Sequence, residues 1–297
     1  MMFSKVRALA LVSAVATVHS AAMADTVTLE PPSGVTTNVL SLFTGDTAVQ
    51  VSGPGAVKLN PSNMHTGGTT HSGGTLILTG DSPVVVWFHG GGLEGGNKEI
   101  PAQLREKGLV VVGVNYRLLP QVTVNAILDD AAEAVAWVFR HIDEYGGDAH
   151  KIVVSGHSAG GYISMMLCLD KRWLAAYGID ADNVMMYVPF SGQAITHYNV
   201  RKMQGIPPLQ ATIDEYAPLY WVRGDCPPLV LICGDRELEL FGRYDENQYL
   251  ARMMKLAGHQ QTYLYEIDGH GHGGMVSPGF HILETHLKQM LGQPVNP

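Results

Sequence analysis

The chain has 297 residues, of which 46% are hydrophobic and 15% charged, and its formal net charge is −8 at pH 7. An acidic chain lacks the basic face that binding to phosphates requires, which excludes nucleic acid as the expected partner. The length fits one large α/β domain, or one domain with a small extra module.

Residues 1–24 have the pattern of a signal peptide. Lys5 and Arg7 give a basic start, a short apolar run follows, and Ala22-Met23-Ala24 fits an A-x-A cleavage site. The run is shorter than the roughly 20 residues that span a bilayer, which argues against a membrane anchor. Cleavage removes two basic residues and no acidic one, so the mature chain from Asp25 carries a charge of −10. We therefore expect an exported protein, periplasmic or secreted, with no membrane span in the mature chain.

Residues 25–82 are rich in Gly, Thr, Ser and Asn and poor in helix formers, which predicts a separate β-type segment. Within it, residues 52–80 resemble the autotransporter-associated repeat of β-helical passenger domains over about one repeat. One turn of β-helix cannot bury enough apolar surface to be stable alone. We therefore expect a few β-strands that extend the leading edge of the following sheet, in preference to a surface-attachment module.

In residues 83–297, short β-branched runs alternate with helical stretches. This alternation predicts an α/β domain whose mostly parallel central sheet has helices on both faces. The runs are continuously apolar, as in strands buried on both faces. The predicted strands are 84–88, 109–114, 151–155, 183–188, 229–233 and 262–267, and the clearest helical stripes cover 127–142 and 250–257.

A glycine run, His89-Gly90-Gly91-Gly92, follows the first of these strands. Successive residues without side chains let backbone N–H groups point at the oxyanion of a tetrahedral intermediate. A flexible turn is the alternative interpretation. A position after a sheet strand, one βαβ step before a serine motif, is where the oxyanion loop of lipases and esterases belongs.

That serine motif is Gly156-His157-Ser158-Ala159-Gly160, a G-x-S-x-G between a predicted strand and a predicted helix over 162–169. A strand, a sharp turn and a helix hold the Ser in a strained elbow, and the helix N-terminus favours developing negative charge. The bare pentapeptide occurs by chance in Gly-rich chains. Its position between strand and helix makes Ser158 the predicted nucleophile.

Over residues 83–297 the chain resembles the hormone-sensitive-lipase and carboxylesterase branch of the α/β-hydrolases. The resemblance is carried by four motifs in order: HGGG from His89, NYRLLP from Asn115, LDDA from Leu128 and GHSAGG from Gly156. It implies the α/β-hydrolase fold and a serine hydrolase that cleaves carboxylic esters without cofactor or metal.

The same resemblance implies roles for individual residues. The expected oxyanion-hole donors are the N–H groups of Gly91, Gly92 and Ala159. His89 is expected to shape its loop without transferring protons. Three further motif residues are expected to be structural: Tyr116, Arg117 and Asp129.

The triad acid should follow the strand 229–233, where Gly234-Asp235-Arg236-Glu237 offers two carboxylates. Relatives commonly place the acid three residues after this Gly, which selects Glu237. Asp235 has the more usual side chain and stays the alternative. Glu239 and Asp245 are expected to be solvated or capping residues.

The triad base should lie in the loop from Gly269 to Met275, which resembles the family's G-x-x-H-G-x-M pattern and selects His272. His270 is then a spare. The two-residue spacing of these histidines also suits a metal site, but no carboxylate or Cys cluster completes one.

Residues 191–227 interrupt the α/β pattern with several prolines and scattered aromatics, and we expect them to form a small cap over the active site. The chain has three cysteines, with no metal-ligand spacing. A disulfide between Cys226 and Cys233 and a buried free Cys233 thiol are both compatible with the sequence.

The expected reaction is acyl transfer in two steps, in which Ser158 attacks an ester carbonyl while His272 takes its proton. The first alternative keeps these residues but cleaves an amide or formamide, as arylformamidases do. The second is a non-catalytic surface-binding module, suggested by the repeat-like N-terminal segment. The elbow, the oxyanion loop and the histidine argue against this second alternative. The expected substrate is a small-molecule or polysaccharide-linked ester.

Overall fold

The computed structural model describes residues 26–34, 36–39, 44–45, 48–59, 64–65, 69–78 and 82–295. The chain divides between residues 79 and 80 into two compact units. The predicted signal peptide, residues 1–24, lies outside the described residues.

The N-terminal unit contains short parallel strands stacked as a β-solenoid. The strands are β1 Thr26–Leu29, β2 Thr36–Val39, β3 Thr44–Gly45, β4 Ala48–Val51, β5 Ala56–Leu59, β6 Met64–His65, β7 Thr69–His71 and β8 Thr75–Leu78. They pair in three stacks, β1-β4-β7, β2-β5-β8 and β3-β6. Thr36 pairs with Ala56, and Ala56 pairs in turn with Thr75, so one coil of the solenoid takes about 20 residues.

The expectation that these strands extend the following sheet is wrong, and the solenoid comprises more than the single repeat expected. In the described residues, each of the strands β1–β8 pairs only with another strand of this set. Val49, Val51 and Val57 are buried together, with Leu29 packed against them. Stacked coils therefore give this unit an apolar interior of its own, which one coil could not provide.

The second unit is built on a six-stranded parallel sheet, in the order β10-β9-β11-β12-β13-β14. This arrangement confirms the predicted α/β-hydrolase fold. Its strands are β9 Ser82–Phe88, β10 Val110–Val114, β11 Gly147–His157, β12 Met186–Phe190, β13 Leu229–Gly234 and β14 Thr262–Ile267. The prediction that all six are buried on both faces is wrong for β10 and β14, which are half-exposed because they lie at the edges of the sheet.

Helices cover both faces of this sheet. They are α1 Val124–His141, α2 Ala159–Leu169, α3 Arg172–Ala175, α4 Tyr198–Met203, α5 Arg243–Leu256 and α6 Val276–Met290. Alternate residues of β9 point to opposite faces, as the pleat of a strand requires. Val86 joins the core formed with α1, α2 and α5, whereas Val85 and Trp87 join the core formed with α6. Among the described residues, no helix combines the length and the apolar character needed to cross a membrane.

The segment 191–227, expected to be a cap, connects β12 to β13 and contains α4 and a short 3-10 helix, Pro218–Trp221. The three cysteines, Cys168, Cys226 and Cys233, are buried and free, so the Cys226–Cys233 disulfide is not formed. Burial raises the pKa of the Cys233 thiol.

Candidate active site

Ser158 lies at a sharp turn between β11 and α2. Its φ of 57° falls in the left-handed region that residues with a side chain rarely adopt. The turn is held by a 2.8 Å hydrogen bond from the Ser158 N–H to the Phe190 carbonyl. A Cβ at Gly160 would lie 2.0 Å from the Phe88 carbonyl oxygen, so only glycine lets α2 start this close to β9. The structure thus has the strained strand–turn–helix geometry that the G-x-S-x-G motif predicts.

A chain of hydrogen bonds leads away from the Ser158 hydroxyl. Ser158 Oγ lies 2.9 Å from His272 Nε2, and His272 Nδ1 lies 2.8 Å from Glu239 Oε2. His272 sits in the loop between β14 and α6, as the sequence pattern predicts. His270 is exposed, and its Nδ1 lies 2.9 Å from the Asp268 carbonyl oxygen instead. Among the described residues, no three His, Cys, Asp or Glu side chains form a group able to hold a metal ion.

The expectation that Glu237 partners His272 is wrong, because the structure brings Glu239 there. Glu237 is exposed, whereas the Glu239 side chain is 0% exposed and therefore not the solvated residue expected. The alternative acid, Asp235, accepts the N–H groups of Glu237 and Gly269, each at 2.9 Å, and so stabilises its own turn and joins it to the loop after β14.

The conformation of this turn explains the difference. The Glu239 N–H donates to the Asp235 carbonyl oxygen at 2.9 Å, which closes one helical turn directly after β13. The turn carries Glu239 back over the end of the strand, where its Oε1 accepts the Gly234 N–H at 2.9 Å. The family's usual spacing of three residues after Gly234 selects Glu237, whereas the helical turn brings the residue two positions further on, Glu239, to His272. Asp245, the other carboxylate expected to be solvated or capping, is half-exposed and pairs with Arg236.

The Glu239 carboxylate is held in its charged form. Burial opposes the charge, but hydrogen bonds from His272, the Ser191 hydroxyl and the Gly234 N–H outweigh it and lower the pKa of Glu239 to about 2. Glu239 is therefore an anion at any pH at which the protein is expected to work. A buried anion beside His272 Nδ1 stabilises the imidazolium that forms when Nε2 takes a proton.

The predicted oxyanion loop follows β9, with Gly91 and Gly92 at φ values of 112° and 66°. Its carbonyl at Gly92 accepts the Asn199 side-chain amide of α4 at 2.6 Å. A Cβ at Gly92 would lie 2.5 Å from the Tyr198 hydroxyl oxygen. Both this close approach and the positive φ of Gly92 therefore require glycine at this position. The segment 191–227 therefore contacts the oxyanion loop. The third predicted donor, Ala159, is the first residue of α2, where a backbone N–H has no partner within the helix.

The residues assigned structural roles by resemblance make structural contacts. The His89 ring stacks on Tyr116 with centroids 4.3 Å apart, and the Tyr116 hydroxyl donates to the His89 carbonyl at 2.8 Å. Arg117 pairs with Asp130, while Asp129 accepts the Tyr177 hydroxyl at 2.8 Å. His89 thus packs the base of the oxyanion loop.

His157, within the serine motif, is a site residue that the sequence reasoning missed. Its Nε2 lies 2.8 Å from the His272 carbonyl oxygen, and the two rings are 4.7 Å apart. Burial, followed by repulsion from His272, lowers the pKa of His157 to about 4. The ring is therefore neutral near pH 7, and because a carbonyl only accepts, Nε2 carries the proton. His157 fixes the loop that presents His272.

We expect His157→Leu to lower kcat by roughly tenfold, because one backbone anchor of the His272 loop is lost. His157→Gln is the matched control, since its amide N–H can donate to the same carbonyl, and it should retain most of the activity. The pKa of His157 is about 4 in the folded protein and about 6.5 in the unfolded chain. The unfolded chain therefore binds a proton first, and the free energy of unfolding should fall as the pH drops from 6.5 through about 4. The melting temperature should therefore change less with pH across this range in His157→Gln than in the parent. Equal activity in the Leu and Gln variants would contradict the anchoring role.

Comparisons with known proteins agree with the motifs. The family model described as BD-FAE matches residues 78–239. The probable carboxylic ester hydrolase LipM of Mycobacterium tuberculosis is 32% identical over 181 residues, which cover 54% of this chain and 42% of LipM. Carboxylesterase NlhH of the same organism is 41% identical over 96 residues, covering 31% of this chain and 30% of NlhH. The chain thus matches less than half the length of these relatives.

Solved structures share the fold. A thermophilic esterase from Thermogutta terrifontis aligns with a TM-score of 0.58 at 23% identity, covering 72% of this chain and 83% of that chain. The same enzyme phosphonylated by sarin aligns with a TM-score of 0.60 at 22% identity, covering 73% of this chain and 87% of that chain. At this identity the likeness supports the fold alone. Because the BD-FAE model matches more than half of the chain, from before the oxyanion loop to Glu239, this protein belongs to the BD-FAE family of α/β-hydrolases.

Proposed function

We propose that the protein is a serine hydrolase that cleaves carboxylic esters, with Ser158 as nucleophile, His272 as general base and Glu239 as the orienting acid. The observation that carries this proposal is the unbroken relay from Ser158 Oγ to His272 Nε2 at 2.9 Å and from His272 Nδ1 to Glu239 at 2.8 Å. The esterase names of the relatives LipM and NlhH support ester hydrolysis.

The residues of this relay, together with the oxyanion loop, can carry out each step of acyl transfer. His272 Nε2 takes the Ser158 hydroxyl proton as Oγ attacks the ester carbonyl carbon, and Glu239 stabilises the resulting imidazolium. The N–H groups of Gly91, Gly92 and Ala159 then receive the oxyanion, each donor worth roughly 3 kcal/mol. His272 returns the proton to the leaving alcohol. A water molecule, activated by the same nitrogen, releases the acid and restores Ser158.

Apolar side chains around the site favour a substrate with an apolar part. Leu238 and Phe241, on either side of the acid, are 54% and 56% exposed. A Cβ at Gly271, beside His272, would lie 3.6 Å from Leu238 Cβ, and the Phe241 ring lies 6.0 Å from that of Tyr198, whose hydroxyl faces Gly92. Exposed apolar side chains therefore lie beside both the His272 loop and the oxyanion loop, where they can contact the acyl or alcohol group of an uncharged ester.

The experiment that tests the proposal combines labelling with a substrate panel. A fluorophosphonate probe should modify Ser158, located by peptide mass spectrometry, and should leave Ser158→Ala unlabelled. The purified protein should hydrolyse p-nitrophenyl esters with kcat/KM at least about a hundredfold above that for the matched anilides and N-formyl arylamines. Preference for the formamide would establish the arylformamidase alternative. No labelling and no turnover of any panel member would establish a binding module.

We also propose that the protein is exported, on the basis of the leader pattern in residues 1–24. Export would bring it to polysaccharide-linked esters, which we propose as its natural substrates in preference to cytoplasmic metabolites. N-terminal sequencing of protein from the native host should begin at Asp25 and find it outside the cytoplasm. A variant with Lys5 and Arg7 replaced by Glu should accumulate uncleaved. Intact Met1 on parent protein in the cytoplasm would contradict the proposal.

A further inference from the structure

Ser191, the first residue after β12, has an unfavourable backbone conformation. Its φ is 48°, which costs a residue with a side chain about 1 kcal/mol and costs glycine almost nothing. The conformation is imposed from two sides, because the Ser191 N–H donates to the Ile232 carbonyl at 2.7 Å and the buried Arg243 guanidinium donates to the Ser191 carbonyl. Ser191 therefore carries a side chain at a position where the backbone conformation favours glycine.

The hydroxyl of Ser191 lies between two members of the relay. Its Oγ is 2.7 Å from Glu239 Oε1 and 2.9 Å from His272 Nδ1. An ionised carboxylate only accepts hydrogen bonds, so the single hydroxyl proton of Ser191 points to Glu239. A lone pair of Oγ is then directed to His272 Nδ1, which must carry a proton in order to donate a hydrogen bond to Oγ.

We propose that Ser191 is a positioning residue for the relay, which holds His272 in the tautomer with the proton on Nδ1. This inference rests on the proposed function. With two oxygen acceptors, Glu239 Oε2 at 2.8 Å and Ser191 Oγ at 2.9 Å, the Nδ1 proton is held from both sides. Nε2 is thereby left unprotonated and free to accept the Ser158 proton. Ser191 also supplies one of the donors that keep Glu239 ionised, beside the Gly234 N–H.

Two variants separate the hydroxyl from the backbone. Ser191→Ala removes the hydroxyl and keeps the unfavourable φ, whereas Ser191→Gly removes the hydroxyl and relieves the φ. The control is Ser164→Ala in α2, which deletes another buried hydroxyl, one that donates to the Gly161 carbonyl at 2.9 Å. The readouts are kcat and KM on a p-nitrophenyl ester, the melting temperature, and the His272 Nδ1–H signal in NMR spectra of protein with 15N-labelled histidine.

Both Ser191 variants should lose kcat by about tenfold with KM within about twofold of the parent, as expected for loss of a hydrogen bond to a charged group. Their Nδ1–H signals should broaden through faster exchange with solvent. The Gly variant should melt at or above the temperature of the Ala variant, and Ser164→Ala should keep parental kcat and an unchanged signal.

Parental kcat and an unchanged Nδ1–H signal in either folded Ser191 variant would overturn the positioning role. So would a loss confined to Ser191→Ala, because Ser191→Gly lacks the same hydroxyl and would then keep its activity without it. Failure of the proposed function gives a different result, since parent protein would then escape the fluorophosphonate probe or Ser158→Ala would keep parental turnover.

Discussion

Ser158→Ala is expected to lower kcat for a p-nitrophenyl ester by about five to six orders of magnitude, the scale on which loss of the nucleophile from a Ser–His–acid relay acts. The fold should persist, because Ala removes one atom and needs the same backbone conformation as Ser. A residual rate of roughly a thousandfold over uncatalysed hydrolysis should survive through the oxyanion loop alone. Steady-state kinetics and a melting curve on the purified variant measure both effects.

Ser155→Ala is the matched control for this experiment. Ser155 lies on the same strand, β11, and its buried hydroxyl donates to the Val188 carbonyl and not to His272. Its removal should cost about 1 kcal/mol of unfolding free energy and leave kcat within about twofold of the parent. Equal loss in both variants would mean that Ser158→Ala acts through stability, and the nucleophile would have to be sought elsewhere.

The parts of this fold that follow from local pattern could be predicted from the sequence. The predicted strand 262–267 coincides with β14, and the others differ from the observed strands by a few residues at their ends. Continuous apolar runs predict such strands because the sheet is covered by helices on both faces. Ser158 and His272 could be predicted because each lies in a short sequence motif after a strand, the G-x-S-x-G turn for Ser158 and the family's G-x-x-H-G-x-M pattern for His272.

The N-terminal solenoid could not be predicted in the same way, because its pairing is not local. Thr44 pairs with Met64, a partner one full coil away, through strands of only two residues. Strands this short leave no apolar periodicity to count. The resemblance of residues 52–80 to a β-helical repeat is the one sequence signal, and it covers about one coil, whereas the described strands stack up to three deep.

The roles of two residues around the relay, His157 and Ser191, could not be predicted from sequence patterns for a further reason. Each acts on His272, which is distant in sequence, through a hydrogen bond made only after β11, β12 and the loop following β14 are assembled. The one local hint for Ser191 is its position directly after a buried strand. The parallel sheet brings this strand end beside that of β13, and so beside Glu239.

The triad acid allows the sharpest comparison between sequence and structure, because three carboxylates lie within five residues. We expect Glu239→Ala to lower kcat by about three to four orders of magnitude, since His272 loses the anion that orients it and stabilises its cation. Glu239→Gln should lose nearly as much. Its amide has almost the same shape, but it carries no charge and can donate to Nδ1, which favours the wrong tautomer of His272.

The two other carboxylates serve as controls. Glu237→Ala should keep kcat within about twofold of the parent, because the side chain is exposed and its removal leaves the contacts of the relay unchanged. Asp235→Ala should mainly lower stability, since the N–H groups of Glu237 and Gly269 lose their acceptor. Kinetics on all four variants, each with a melting curve, separate the two kinds of effect.

The pH dependence of stability tests the same assignment independently of activity. Hydrogen bonding holds the pKa of Glu239 at about 2, against an ordinary value of 4.5. A carboxyl with a lowered pKa contributes stability that is fully present above its unfolded pKa and is lost as the pH falls through its folded pKa. Unfolding free energy should therefore decline between pH 4.5 and about 2 in the parent, and less steeply in Glu239→Gln. If the unfolding free energy of Glu239→Gln declined as steeply as that of the parent, and Glu237→Ala lost kcat severely, the role of the triad acid would have to be assigned to Glu237.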